Sequence, residues 1–242
     1  MFYRFLSKLA TQERLEAFPV PLAGSDWQVR TAHMPLPRDY EEKFKPISPT
    51  IDILGVKFFK APLYTDSGER GLRLRFYYGK DVENLPDIWA VENRLLVSEK
   101  FKQVLGQVDD MTHEYIPIEC IDREEKPIPS KQPYYWFHQR RFLHIEPSNR
   151  IAKHAELGFC PIDKEEDFVA RVIDTPNLRT QLEKIPVWQH YGQKGMEGRQ
   201  SQARSVLYMN ENLVKACRAA SISGMDSYSQ KYGIGEESLC SI

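Results

Sequence analysis

Leu95-Leu96-Val97-Ser98-Glu99-Lys100-Phe101-Lys102-Gln103-Val104-Leu105 is a short apolar run, a polar residue, a glutamate and then a helix-like stretch. The same pattern returns at Val206-Leu207-Tyr208-Met209-Asn210-Glu211-Asn212-Leu213-Val214-Lys215-Ala216-Cys217. Ser98 and Asn210 are both good N-cap types, because a side-chain oxygen there accepts an orphan amide hydrogen bond of the first turn. Glu99 and Glu211 then place negative charge at the positive end of each expected helix. Phe101, Val104 and Leu105 recur three and four apart, as do Leu213, Ala216 and Cys217, so each helix carries one apolar stripe. Each unit therefore reads as a strand running into a capped helix. This is scaffold, with no reaction centre in it.

Working outward, residues 18–50 hold Pro19, Pro21, Pro35, Pro37, Pro46 and Pro49. Proline removes a donor and restrains its predecessor, so this segment reads as extended and wrapping. Ile51 to Phe59 reads as a strand or strand pair bent at Gly55. Leu72-Arg73-Leu74-Arg75-Phe76-Tyr77 alternates strictly, as a half-buried strand does. Leu85-Pro86-Asp87-Ile88-Trp89 is a turn leading into the first unit. Tyr115-Ile116-Pro117-Ile118 favours an edge strand or a strand start, since proline breaks a ladder. Tyr134 to Ile145 is a second sheet region, long enough for a hairpin.

From Pro161 to Lys184 the pattern turns helical, with Pro176 breaking it and Asn177 to Lys184 forming a short second helix. Gly192 to Gln202 reads as a loop, and the polar tail from Tyr228 as frayed. Strands dominate the middle and helices are few. The expected class is α+β, a mostly antiparallel sheet with a few helices. The 242 residues form a single compact unit, with a possible N-terminal lobe over 1–120 and a C-terminal lobe over 121–242.

Hydrophobic residues make up 41% and charged residues 28%, and the net charge of −1 gives no global attraction to nucleic acid or an anionic membrane. Cys120, Cys160, Cys217 and Cys240 form no Cys-x-x-Cys pair, so reduced thiols in the cytoplasm are expected. The first residues, with Arg4 and Lys8 interrupting the apolar positions, do not form a signal-peptide core. No later run is long enough to span a bilayer.

Chemistry is sparse. There is no Gly-rich phosphate loop, no Gly-x-Ser-x-Gly elbow and no His-Glu-x-x-His. The histidines at 33, 113, 138, 144, 154 and 190 have no metal-motif spacing. His154 and Cys160 are the nearest to a nucleophile pair, but the acidic run after Pro161 disfavours a thiolate. No metal or cofactor is expected. Tyr134-Tyr135-Trp136-Phe137-His138-Gln139-Arg140-Arg141-Phe142-Leu143-His144 interleaves aromatics with arginine, the composition of a base-stacking, phosphate-holding strip. The competing reading is a strand pair with Tyr135, Phe137, Leu143 and Ile145 inward and Arg140 outward. Asp163, Glu165, Glu166 and Asp167 form an acidic helix start or a contact surface for a basic partner.

Taken in order, several segments resemble a family of bacterial immunity proteins found beside polymorphic and type VI secretion toxins. They are Leu85-Pro86-Asp87-Ile88, Leu96-Val97-Ser98-Glu99-Lys100-Phe101, Glu114-Tyr115-Ile116-Pro117-Ile118, Tyr134 to His138, and Leu207 to Gly224. The resemblance implies a protein without catalysis that binds a cognate toxin, a cytoplasm-acting effector such as a nuclease. It brings no catalytic residues, and its motif positions are scaffold. The partner-binding residues expected from the acidic run are Asp163, Glu165, Glu166 and Asp167. The alternative is a nucleic-acid-binding protein using Tyr134–Arg141, and a third is an enzyme whose site is assembled from distant residues.

Overall fold

Both capped helices form where the pattern placed them. A computed structural model describes residues 2–6, 15–21, 45–47, 56–61, 63, 69–76, 82–83, 85–91, 94–145, 180–190, 206–225 and 239–241. Helix α1 spans Glu99–Val108, and the Ser98 hydroxyl accepts the Phe101 amide at 3.2 Å. Helix α2 spans Glu211–Ala219, and the Asn210 side-chain oxygen accepts the Leu213 amide at 2.9 Å. The two cap residues share one extended backbone conformation, with φ −80° in both and ψ 164° and 168°.

Two sheets carry these helices. Strands are numbered along the chain. The first sheet runs β2 (Leu15–Pro21), β5 (Glu69–Phe76), β8 (Glu114–Ile121), β9 (Tyr134–His138), β7 (Arg94–Ser98), β6 (Ile88–Val91) in spatial order. The second runs β13 (Leu239–Ser241), β1 (Phe2–Leu6), β12 (Val206–Asn210), β11 (Val187–His190), β10 (Arg141–Ile145), β4 (Val56–Lys60), β3 (Lys45–Ile47). Apart from the parallel pairs β5–β8 and β10–β11, the pairings among described residues are antiparallel. The class is therefore α+β, as the pattern predicts.

One apolar core joins the two sheets through the helices. It takes Ile88, Leu95, Val97 and Phe137 from the first sheet and Phe5, Val187, Leu207 and Met209 from the second. Phe101 and Leu105 of α1 meet Leu213, Val214 and Cys217 of α2 in the same cluster. Because side chains alternate across a strand, Trp89, Leu96, Ile116 and Trp136 point to the other face of the first sheet. There they form a second cluster with Leu74, Phe76, Val82 and Cys120.

Three expectations need correction. The stretch Tyr134 to Ile145 is not a hairpin: β9 lies in the first sheet and β10 in the second. The turn between them, Gln139–Arg140, carries the chain across, and the Gln139 side-chain Nε2 fixes it by donating to the Arg141 carbonyl at 2.7 Å. Strand β8 is interior rather than an edge. Pro117 is tolerated because the register hands over there: β9 pairs with residues up to Pro117, and β5 pairs from Ile118 onward. The tail from Tyr228, read as frayed, holds strand β13 over Leu239–Ser241, paired with β1.

Elsewhere the sequence reading holds in part. Strand β4 begins at Val56, after the expected bend, and β5 covers the alternating run as far as Phe76. Thr180–Leu182 is helical, within the expected second helix; Pro161 to Arg179 and the Gly192–Gln202 loop lie outside the described residues.

The caps carry measurable stability. Ser98→Ala and Asn210→Ala should each lower unfolding stability by about 1–2 kcal/mol in urea titration, because each side chain satisfies a buried first-turn amide.

Candidate functional site

Among the described residues, chemistry-bearing side chains gather around two buried acids, Asp109 and Asp87. The first gathering centres on Asp109, the residue that ends α1. Its carboxylate accepts two bonds from the Arg141 guanidinium, at 2.8 and 2.9 Å, in a bidentate pair. The same guanidinium donates to the Val187 carbonyl at 2.9 Å, so the end of α1 is tied to the start of β11.

His113 completes the group. Its Nε2 lies 3.2 Å from Asp109 Oδ2, and its Nδ1 accepts the Arg140 amide at 3.2 Å. A ring nitrogen that accepts an N–H carries no proton, so His113 is neutral with its proton on Nε2, facing Asp109. Next to it, the His138 Nδ1 lies 2.8 Å from the Glu114 carboxylate, with both side chains buried.

Burial is the largest influence on Asp109, His113 and His138. It acts to raise the Asp109 carboxyl, but the hydrogen bonds from His113 and Arg141 and the arginine's charge outweigh it and hold the acid well below the usual range. Burial lowers both His113 and His138 from their ordinary 6.5, and their carboxylate neighbours only partly oppose it.

The second gathering centres on Asp87. Its carboxylate accepts the Ser98 hydroxyl at 2.6 Å, the Gln132 amide at 3.1 Å, and both the amide and the hydroxyl of Ser223 at 2.9 Å. The Asp87 amide donates back to the Ser223 hydroxyl at 3.0 Å, and the Ile88 amide donates to the Ser223 carbonyl at 3.2 Å. Burial pushes this acid up, but the donors from Ser223, Ser98 and Gln132 prevail and leave it lowered. Gly224 follows with φ +93°, and a Cβ there would sit 2.2 Å from the Ile88 carbonyl oxygen, so only glycine fits this approach.

The aromatic–arginine stretch is absorbed into these structures. Phe137 and Leu143 are buried as the alternation predicts, and Tyr135 is half-buried with its hydroxyl donating to Glu99 at 2.6 Å. The side chain of Ile145 lies outside the described residues. Trp136 and Arg141 are buried as well. Arg140, expected to face solvent, is half-buried and spans two loops, donating to the Ala61 and Thr112 carbonyls at 2.8 and 3.3 Å. No local sequence signal gives Arg141 its role; its partner lies 32 residues earlier.

Cys120 and Cys217 are buried and free, and burial, with Glu119 or Asp87 adding to it, pushes both thiols up to about 12. Thiols held so high are poor nucleophiles at neutral pH. Among the described residues no group of His, Cys, Asp or Glu is placed to hold a metal ion. Asp163, Glu165, Glu166 and Asp167 lie outside the described residues, as do His154 and Cys160. No helix of the described residues is long and apolar enough to cross a membrane. No protein-family model matches the chain, and no curated protein matches it.

Two predictions follow from the buried charges. Arg141→Met leaves Asp109 buried and stripped of its cation, so it should cost on the order of 3–5 kcal/mol in denaturant unfolding. The double change Arg141→Met with Asp109→Leu should recover much of that loss.

Below neutral pH these histidines and acids act with one sign. The histidines sit lower folded than unfolded, so the unfolded chain binds more protons below their ordinary 6.5 and stability falls as pH drops through that value. Asp87 and Asp109 are also lower folded than their ordinary 3.8, so a second loss begins as pH falls below it. A melting-temperature series from neutral to acid pH should show a plateau and then two successive declines. His138→Gln should diminish the first decline and leave the second.

Proposed function

We propose that this chain neutralises a cognate protein toxin by stoichiometric binding and performs no chemistry on it. The observation that supports this reading is how the buried ionisable groups are used. Asp87, Asp109 and Arg141 bind the ends of helices to distant strands, and His113 is held neutral between Asp109 and a backbone amide. Groups engaged in this way hold a scaffold rigid and leave recognition to its surface. The resemblance to immunity proteins beside type VI and polymorphic toxins supports the same reading, and with it we propose a bacterial cytoplasmic protein whose effector acts there, such as a nuclease.

A nuclease presents a basic groove to its substrate, and an acidic surface complements it. Asp163, Glu165, Glu166 and Asp167 are the residues we assign to that contact. Complementary charge of this kind acts mainly on the rate of association.

Co-expression tests the reading. The toxin is the product of a neighbouring gene with a secretion domain and a toxic tail. Its expression should arrest growth, this chain should restore growth, and the two should co-purify as a complex of fixed stoichiometry. A chain that neither binds nor protects would overturn the proposal. Reversing the four acidic charges to lysine should slow association and weaken its salt dependence, with the melting temperature unchanged. Unchanged binding with a lowered melting temperature would instead confine these residues to a structural role.

A further inference from the structure

The two sheets contain the same four-stranded motif. In the first, the order is β8-β9-β7-β6, and α1 follows β7; in the second it is β13-β1-β12-β11, and α2 follows β12. The match extends to register. Ile88 and Trp89 face Val97 and Leu96, and Val187 and Trp188 face Met209 and Tyr208, so Ile-Trp and Val-Trp stand at the same distance from the two caps. On the other side, Tyr134 and Tyr135 face Ser98 and Val97, while Phe2 and Tyr3 face Asn210 and Met209. Phe137 and Phe5 then occupy matching places in the shared core. The fourth strand agrees too: Tyr135 and Phe137 face Pro117 and Tyr115, as Tyr3 and Phe5 face Ser241 and Leu239. Even the indole N–H groups of Trp89 and Trp188 share a property, since both are buried without a hydrogen-bond partner.

The chain order makes this repeat unusual. With β2 to β5 and β10 set aside as insertions outside the motif, each half runs leading strand, strand, strand, helix, strand: β1, β6, β7, α1, β8 in one and β9, β11, β12, α2, β13 in the other. The leading strand of each half sits inside the motif of the other half. Strand β9 is inserted between β7 and β8, and β1 between β12 and β13. The latches described above follow the same rule, because Asp109 after α1 is tied to Val187, and Ser223 after α2 is tied to Ile88.

We infer that the chain is two copies of one unit that have traded their leading strands, and that two chains make the same trade, giving a strand-exchanged dimer. In that dimer the half up to β8 of one chain closes on the half from β9 of the other. Every pairing between the numbered strands is kept, and only the connection over 122–133 and its bridge from Pro127 to Ile121 change. That connection is a suitable hinge. It is folded back on β8 by the Ile128 amide donating to the Cys120 carbonyl and the Asp122 amide donating to the Lys126 carbonyl. Its turn holds Glu125 at φ 64°, a left-handed conformation that a residue with a Cβ adopts at a cost and that an extended hinge relieves. Exchange between identical elements is favoured by concentration and by shortening the hinge.

The test uses the full chain. After unfolding and refolding at high protein concentration, size exclusion should show a dimer that is absent after refolding at low concentration. Deleting 123–127 should make the dimer the main species at both concentrations, and Glu125→Gly should reduce it. Exchange is then separated from surface association by Arg4→Cys with Tyr208→Cys, residues that face each other between β1 and β12. In an exchanged dimer this pair lies between two chains, so oxidation should yield a band of twice the chain mass on a non-reducing gel; the monomer should give a band of single mass. A dimer that yields only single chains after oxidation would overturn the inference, as would a refolded chain that stays monomeric at every concentration. The oxidation test uses the natural hinge, so it does not depend on the deletion variant folding.

Discussion

Asp87 accepts donors from three separated parts of the chain, and the arrangement of the helices depends on it. The Ser98 hydroxyl donates to this carboxylate while accepting the Phe101 amide, so the cap of α1 is oriented by the acid beneath it. Ser223, which follows α2, donates to the same carboxylate. One buried charge thus fixes where one helix starts and where the segment after the other returns. A buried carboxylate is stable in this position only while its donors stay in place. Loss of either helix end therefore exposes the other to the same desolvation penalty.

Arg141 and Asp109 repeat this logic at the opposite ends. The pair lies deep enough for its attraction to be little screened, but also deep enough for each ion to require the other. Its contribution is geometric: Arg141 reaches the Val187 carbonyl from the same guanidinium, which sets the end of α1 against the start of β11. The apolar core supplies the bulk of the driving force by burying Phe5, Phe101, Phe137 and their neighbours. The two polar latches select one arrangement of that core.

What the sequence makes legible is local. Ser98 and Asn210 are identified by residue type and by the stripes that follow, because a cap is satisfied within three residues of itself. The α+β class follows from alternation in runs such as Leu72 to Phe76. Pairing partners are not local, and there the reading runs out. Tyr134 to Ile145 looks like a hairpin until Gln139 directs its second strand into another sheet. Arg140 and Arg141 are alike by composition, yet one bridges loops and the other is buried, because Asp109 meets only the second. The repeated cap motif is visible in the sequence, whereas the trade of leading strands is not, since β1 and β9 carry no signal of which motif they complete.

The position of β1 has a consequence for biosynthesis. Its partner β12 spans Val206–Asn210, so β1 finds this neighbour only after the whole segment between them has been synthesised. At roughly 5–20 residues per second, the delay is on the order of ten to forty seconds. During that interval Phe5, buried in the finished core, and Tyr3, packed against it, are without their final cover, and β7 and β8 await β9 for a shorter time. A ribosome stalled before residue 206 therefore leaves a product in which β1 has neither β12 nor β13 to pair with.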